Sequence, residues 1–226
     1  MITFAYIAIF LRLVPLFLQW LSHTRKNVGS LYFLLFTLFS FGADVFSIFF
    51  IYLEIHTDVV YNYYQIFETI IATFLAIEIG KFNPRIKFTL YSFCVFFVLS
   101  VVLSTFIYHF DFPQDFNWGI SRFYILIITF FSALHYVRKM DSFNNNNAAP
   151  LFGLLGIFIY EALSIIPLLS QQIMRASENP IELFNIYFIF LVSGNLIRDA
   201  LISYNAILNI KHKVKWTLMR YSYFRE

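Results

Sequence analysis

Six ionisable side chains lie inside long apolar runs of this sequence: Arg12, Asp44, Glu68, Glu161, Arg198 and Asp199. Each such residue costs roughly 2.5–3.5 kcal/mol to insert into hydrocarbon, so it normally faces a partner or a polar cavity and marks an ion, proton or solute site. Counted from the centres of their runs, all six fall within roughly 5 Å of one depth, at about 1.5 Å of rise per residue. They come from five separate runs. Four carboxylates against two guanidiniums leave negative charge that protons, a cation or a cationic solute must balance. Two chemistries fit such a set. The acids can bind a solute or relay protons, or a pair of them can act as general acid and general base.

The elements that must position these groups are helices. Seven apolar runs are long enough to cross about 30 Å of hydrocarbon: 2–20, 30–53, 59–79, 88–109, 118–138, 150–170 and 183–210. Helical spacing gives most of them one small or polar face. Arg12 shares a face with Ala5, Ala8, Pro15 and Gln19, and Asp44 with Thr37, Ser40 and Ser47. Glu68 lines up with Tyr61, Gln65, Ala72 and Ala76, and Glu161 with Gly153, Gly156 and Ser164. The seventh run offers Asn195, Arg198, Asp199, Ser203, Asn205 and Asn209. Ser40, Gln65 and Asn195 are therefore expected to support the charged layer, with Phe, Leu and Ile turned outward.

Composition agrees. Of the 226 residues, 60% are hydrophobic and 13% charged, and the mean hydropathy is +0.70. A water-soluble domain carries about 25% charged residues, so a soluble globule, a disordered chain and a nucleic-acid-binding module are excluded. The single cysteine, Cys94, allows no disulfide framework and no thiolate metal cluster. Basic residues gather after runs one, three and five (Arg25, Lys26, Lys81, Arg85, Lys87, Arg138, Lys139) and after run seven (Lys211, Lys213, Lys215, Arg220, Arg225). The opposite loops hold Glu54, Asp58, Asp111, Asp115, Glu178 and Glu182 against Arg175 alone. The positive-inside rule then predicts an outside N-terminus and a cytoplasmic C-terminus. Arg12 in the middle of the first run, with no basic stretch before it, argues against a cleaved signal peptide.

The expected fold is thus all-α: one seven-helix domain over 1–210 and a basic cytoplasmic tail over 211–226. That tail mixes cations with Trp216, Tyr221 and Phe224 and suits an anionic leaflet or a cytoplasmic protein partner. The Asn144–Asn147 tract reads as a cytoplasmic loop. An internal repeat, 1–80 against 118–210 with 88–109 as linker helix, matches Arg12 to Arg122, Asp44 to Glu161 and Asn62 to Asn185. Arg122 is placed nearer the outer end of its run, within reach of the surface.

The segments Pro15-Leu-Phe-Leu-Gln19, Arg25-Lys-Asn-Val-Gly-Ser-Leu31 and Gly42-Ala-Asp44 resemble the first repeat of the PQ-loop and SWEET-type membrane proteins. The resemblance covers about the first fifty residues. It implies a seven-span, three-one-three carrier of small polar solutes, some moved with protons. Here Pro15 and Gln19 are not adjacent, as the family's Pro–Gln pair is, and the second triplet has no such pair. Two shorter pieces, Ser40-Phe-Gly-Ala-Asp44 and Asp199-Ala-Leu-Ile-Ser-Tyr-Asn205, resemble the aspartate segments of lysoplasmalogenase-type membrane hydrolases.

No nucleophile elbow, HExxH, Cys-x-x-Cys or phosphate loop occurs, and no cofactor motif is present. His56 with Glu54 and Asp58, and His109 with Asp111, read as solvated loop charge in preference to a metal site. The expectation is a multi-pass carrier of a small polar solute or protons in a bilayer, with a bacterial inner membrane suggested by the Phe-, Ile- and Asn-rich composition. A seven-helix receptor is the alternative, and a lipid-processing hydrolase with Asp44 and Asp199 as acid and base the further one.

Overall fold

The computed structural model describes residues 10–23, 28–53, 58–108, 115–140, 145–175 and 180–223. Among them are seven helices: α1 (Leu13–Ser22), α2 (Val28–Tyr52), α3 (Asp58–Gly80), α4 (Pro84–Tyr108), α5 (Asp115–Arg138), α6 (Asn145–Arg175) and α7 (Pro180–Tyr223). Four stretches are long and apolar enough to cross a membrane: Gly29–Phe50, Pro84–Leu103, Trp118–Arg138 and Ala148–Ile165. The described part of the first run gives only the short apolar helix α1. In α3 the polar residues that the layer requires, such as Asn62, Gln65 and Glu68, bring the average down. The chain is an all-α, multi-pass membrane architecture.

Local chemistry sets the ends that are best defined. Gly80 ends α3, and Lys81 takes a left-handed conformation (φ 47) while its N–H still reaches the Ile77 carbonyl. The Lys139 ammonium then donates to the Lys81 carbonyl at 2.8 Å, tying the α3 and α5 ends together. Two residues on, the Asn83 side chain accepts from the Ile86 N–H at 2.9 Å, and Pro84 opens α4. An Asn cap followed by Pro is a strong helix start, because Pro lacks the N–H that would go unpaired there.

Six of the helices close a ring in the order α1, α2, α3, α5, α6, α7, with α7 returning to α1. Helix α4 stands outside it, against α3 and α5. Contacts give the directions. Thr69 meets Ser121, Thr73 meets Tyr124 and the Ala76 carbonyl meets Ser132, so α3 and α5 run parallel. Arg12 meets Asp199 and Gln19 meets the Ile202 carbonyl, so α1 and α7 are parallel too. The other ring neighbours are antiparallel: Tyr32 stacks on Phe74 and Phe39 on Phe67 between α2 and α3, and a Cβ on Gly153 would face Asn205 while one on Gly156 would face Leu201.

Packing is inverted relative to a soluble protein. Phe10, Trp20, Phe46, Phe88, Phe96 and Leu103 are exposed, while Gln19, Glu68, Thr73, Ser132 and Glu161 are sealed inside. With lipid outside, apolar contact gives helices little reason to associate, so small residues and interhelical hydrogen bonds supply it. Gly156 shows the first: a Cβ there would stand 3.0 Å from the Arg198 carbonyl oxygen. On one side of the layer an apolar cluster around Phe33, Phe36, Leu75, Ile125, Leu154 and Ile202 fills the ring.

Two expected boundaries move. Helix α7 continues unbroken to Tyr223, so no structural break separates 1–210 from the tail: its Lys, Leu, Met and Arg are good helix formers and nothing there stops a helix. Helix α6 begins at Asn145, so Asn145–Asn147 are its first turn and not a loop, in keeping with the preference of Asn for helix starts. Glu54, His56, His109, Asp111 and Glu178 lie outside the described residues, as do the side chains of the tail beyond Val214.

Candidate functional site

All six expected charged residues come together inside the ring, and a seventh joins them. Arg12, from the first turns of the chain's described part, is 5% exposed. Its Nη1 donates to Asp44 on α2 and to the Ser40 hydroxyl (3.1 Å) and carbonyl (3.3 Å). Its Nε donates to Asp199 Oδ2 on α7 at 3.2 Å. Arg198 donates from Nε to Asp199 Oδ1 at 3.1 Å and from Nη2 to the Ser40 hydroxyl at 3.0 Å. Ser40 thus accepts from both guanidiniums, which explains its place on the Asp44 face. These two arginines and two aspartates balance in charge.

The second group centres on Arg122. Its Nη1 donates to both oxygens of Glu161 on α6, at 3.1 and 2.9 Å, and lies 3.2 Å from Glu68 Oε2 on α3. The Tyr64 hydroxyl donates to Glu68 Oε1 at 2.5 Å, one helical turn away. Both glutamate side chains are completely buried. Arg122 is therefore not a surface-reaching residue. Ser121 and Arg122 sit one turn inside Trp118, and α5 packs against α3 and α6 so that the side chain turns into the ring. Its inclusion changes the balance to four carboxylates and three guanidiniums, one excess negative charge instead of two, and that excess belongs to the Arg122 group.

Tyr160 joins the groups. The Arg122 Cζ lies 4.9 Å and the Arg198 Cζ 4.4 Å from its ring centre, so one aromatic ring carries both cations. Such a contact is worth up to about 2 kcal/mol where water is excluded. Arg122, Tyr64 and Tyr160 are the site residues that sequence reasoning missed. Tyr64 stands at i−4 from Glu68 and Tyr160 beside Glu161, a spacing that signals a hydroxyl or ring next to each acid.

The pairing has an order. Arg12 holds one acid on the next helix of its own triplet, Asp44, and one on the last helix of the other triplet, Asp199. Arg122 does the same with Glu161 and Glu68. In these contacts Arg12 pairs in the way Arg122 does, with Asp44 in the place of Glu161. Glu68 answers by contact to Asp199, whereas aligning Asn62 with Asn185 puts Leu191 opposite it.

Several buried polar atoms here have no partner: both side-chain atoms of Gln65, Glu68 Oε2 beyond its ion contact, Asn195 Oδ1 and Arg198 Nη1. Beside the layer, an apolar groove of about 470 Å³ runs between α2 and α3, lined by Phe39, Gly42, Phe46, Tyr63, Tyr64 and Phe67 among others. No group of His, Cys, Asp and Glu able to hold a metal ion occurs among the described residues. The chain matches no known family model, no curated protein and no solved structure.

Proposed function

We propose that the protein is a seven-span carrier of a small polar solute, with N-terminus outside and C-terminus cytoplasmic, built as two three-helix repeats flanking α4. The observation that carries this reading is the crossed pairing of Arg12 and Arg122, each held by one acid of its own triplet and one of the other. Among the described residues, the triplets α1–α3 and α5–α7 meet chiefly along the two parallel seams, α1 with α7 and α3 with α5, and across the ring centre. Opening either seam in an empty protein separates an arginine from one acid. At the α3/α5 seam this strips Glu68 of its guanidinium, at a cost of about 3–5 kcal/mol for a buried charge, whereas at the α1/α7 seam Asp199 keeps Arg198 and less is lost.

A polar solute removes that cost. When it takes the place of the arginine at Glu68 or at Asp199, the arginine keeps its partner within its own triplet, Glu161 or Asp44. No buried charge is then orphaned while one seam loosens and the other stays closed. Parallel repeats around a mid-membrane site are a known transporter plan. The hydrolase alternative has less support, because Asp44 and Asp199 are both paired with Arg12.

The test is solute uptake into proteoliposomes, run with labelled amines, polyols and zwitterions. Asp44→Asn and Glu161→Gln are expected to fold, as judged by gel filtration, and to carry nothing. Wild-type uptake in both variants would remove the charged layer from any carrier role.

A further inference from the structure

Of the unpartnered buried atoms, Asn205 Nδ2 lies beyond Asp199 toward the Gly153 end, whereas those of Gln65, Glu68, Asn195 and Arg198 fall in the charged layer or one turn to its other side. Gln65 is one turn before Glu68 on α3, and Asn195 one turn before Arg198 on α7. Helices α3 and α7 run the same way, since α3 parallels α5 and both α5 and α7 oppose α6. Gln65 and Asn195 therefore stand at one level, toward the Asp58 and Pro180 ends. Arg122, 3.2 Å from Glu68, and Arg198 both lie against the Tyr160 ring, so the α3 and α7 faces approach each other through the ring. Gln65 is 4% and Arg198 1% exposed.

A buried amide with neither atom bonded is strongly disfavoured, and native proteins rarely keep one without an occupant to satisfy it. Here the inventory is specific. Three acceptors wait: Gln65 Oε1, Glu68 Oε2 and Asn195 Oδ1. Two donors wait beside them: Gln65 Nε2 and Arg198 Nη1. The adjoining Arg122 group has two carboxylates to one guanidinium, an excess that a bound cation or a proton would balance. An ammonium group supplies three N–H donors and one positive charge. A neutral hydroxyl or carbonyl on the same molecule would accept from the two free donors.

We propose that this cluster of unpartnered groups binds a small primary ammonium ion bearing a neutral hydrogen-bond acceptor, with the ammonium on Glu68, Gln65 and Asn195 and the acceptor on Arg198. The proposal rests on the carrier reading for its purpose and names the substrate class. A metal cation would leave the free donors unmet, a neutral polyol would leave the charge unbalanced, and a quaternary amine has no N–H to give.

Titration calorimetry on purified full-length protein tests it with ethanolamine as probe, and with choline and glycerol as controls. Ethanolamine is expected to bind and the controls are not. Gln65→Leu is expected to weaken ethanolamine binding about tenfold or more, from the loss of hydrogen bonds to a charged group. The same substitution should leave thermal stability equal or higher, since it removes an unsatisfied buried amide; a packing residue would lower it. Asn195→Leu should behave alike. Binding of glycerol or choline as well as ethanolamine overturns the proposal, as does ethanolamine binding untouched by both variants. So does no binding at all, which leaves ordered water as the occupant. Uptake of some other solute that depends on Asp44 would, with any of those results, leave the carrier reading standing.

Discussion

Arg12 and Arg122 each hold two carboxylates, one on the following helix and one across a seam, but their surroundings differ. The Arg12 group has a second guanidinium, Arg198, and a shared hydroxyl, Ser40, and its Asp44 side chain is 20% exposed. The Arg122 group has one guanidinium for two fully buried glutamates, and a tyrosine in place of the serine. One site is balanced and partly open, the other sealed and short of a cation. Two equivalent sites would suit a symmetric gate. The inequality instead gives the two seams different strengths and puts the demand for positive charge at the α3/α5 seam, next to the unpartnered Gln65.

The largest effect expected follows from removing the sole cation of the sealed group. Arg122→Leu should destabilise the protein by about 3–5 kcal/mol in chemical denaturation, because two buried carboxylates lose the guanidinium they share. Adding Glu68→Gln and Glu161→Gln should return most of it. Arg12→Leu should cost less, about 1–3 kcal/mol, because Asp199 keeps Arg198 and Asp44, 20% exposed, is less tightly sealed than the two glutamates; equal losses at the two arginines would erase the distinction between the groups. Tyr160→Leu sharpens the link between them. It should couple to Arg122→Leu and to Arg198→Leu in double-mutant cycles by about 0.5–2 kcal/mol, since one ring faces both cations. The smallest effect belongs to the seam itself. Ser132→Ala loses its 3.0 Å bond to the Ala76 carbonyl and should cost about 0.6 kcal/mol.

Much of this arrangement is legible in the residues. Counting along apolar runs gives depth, and depth alone brought Arg12, Asp44, Glu68, Glu161, Arg198 and Asp199 to one layer, because insertion cost leaves a charged side chain few places to be. Helical spacing placed Ser40 and Gln65 on inward faces, and both are buried. What depth does not give is azimuth around the ring. The turn of α5 that brings Arg122 to Glu68 depends on three helices packing together, and so does the position of Tyr160 between two guanidiniums. The like pairing of Glu68 and Asp199 was hidden for the same reason: which acid each arginine reaches depends on the packing of α3 and α7 against their neighbours, and aligning similar apolar letters does not show it. Helix ends failed where the sequence holds no stop. Lys211 to Tyr223 contains neither Gly nor Pro, and α7 simply continues.

The central claim is that the two triplets part at their seams to move a solute. Thr69 and Ser121 offer the direct test, for their hydroxyls meet at 2.7 Å across the α3/α5 seam. In a Cys94→Ala background, Thr69→Cys with Ser121→Cys would form a disulfide tying α3 to α5 beside Glu68 and Arg122. Uptake in proteoliposomes should be present in the reduced protein, absent after oxidation and restored by a reductant. Uptake that continues at the wild-type rate with the disulfide closed would contradict the account.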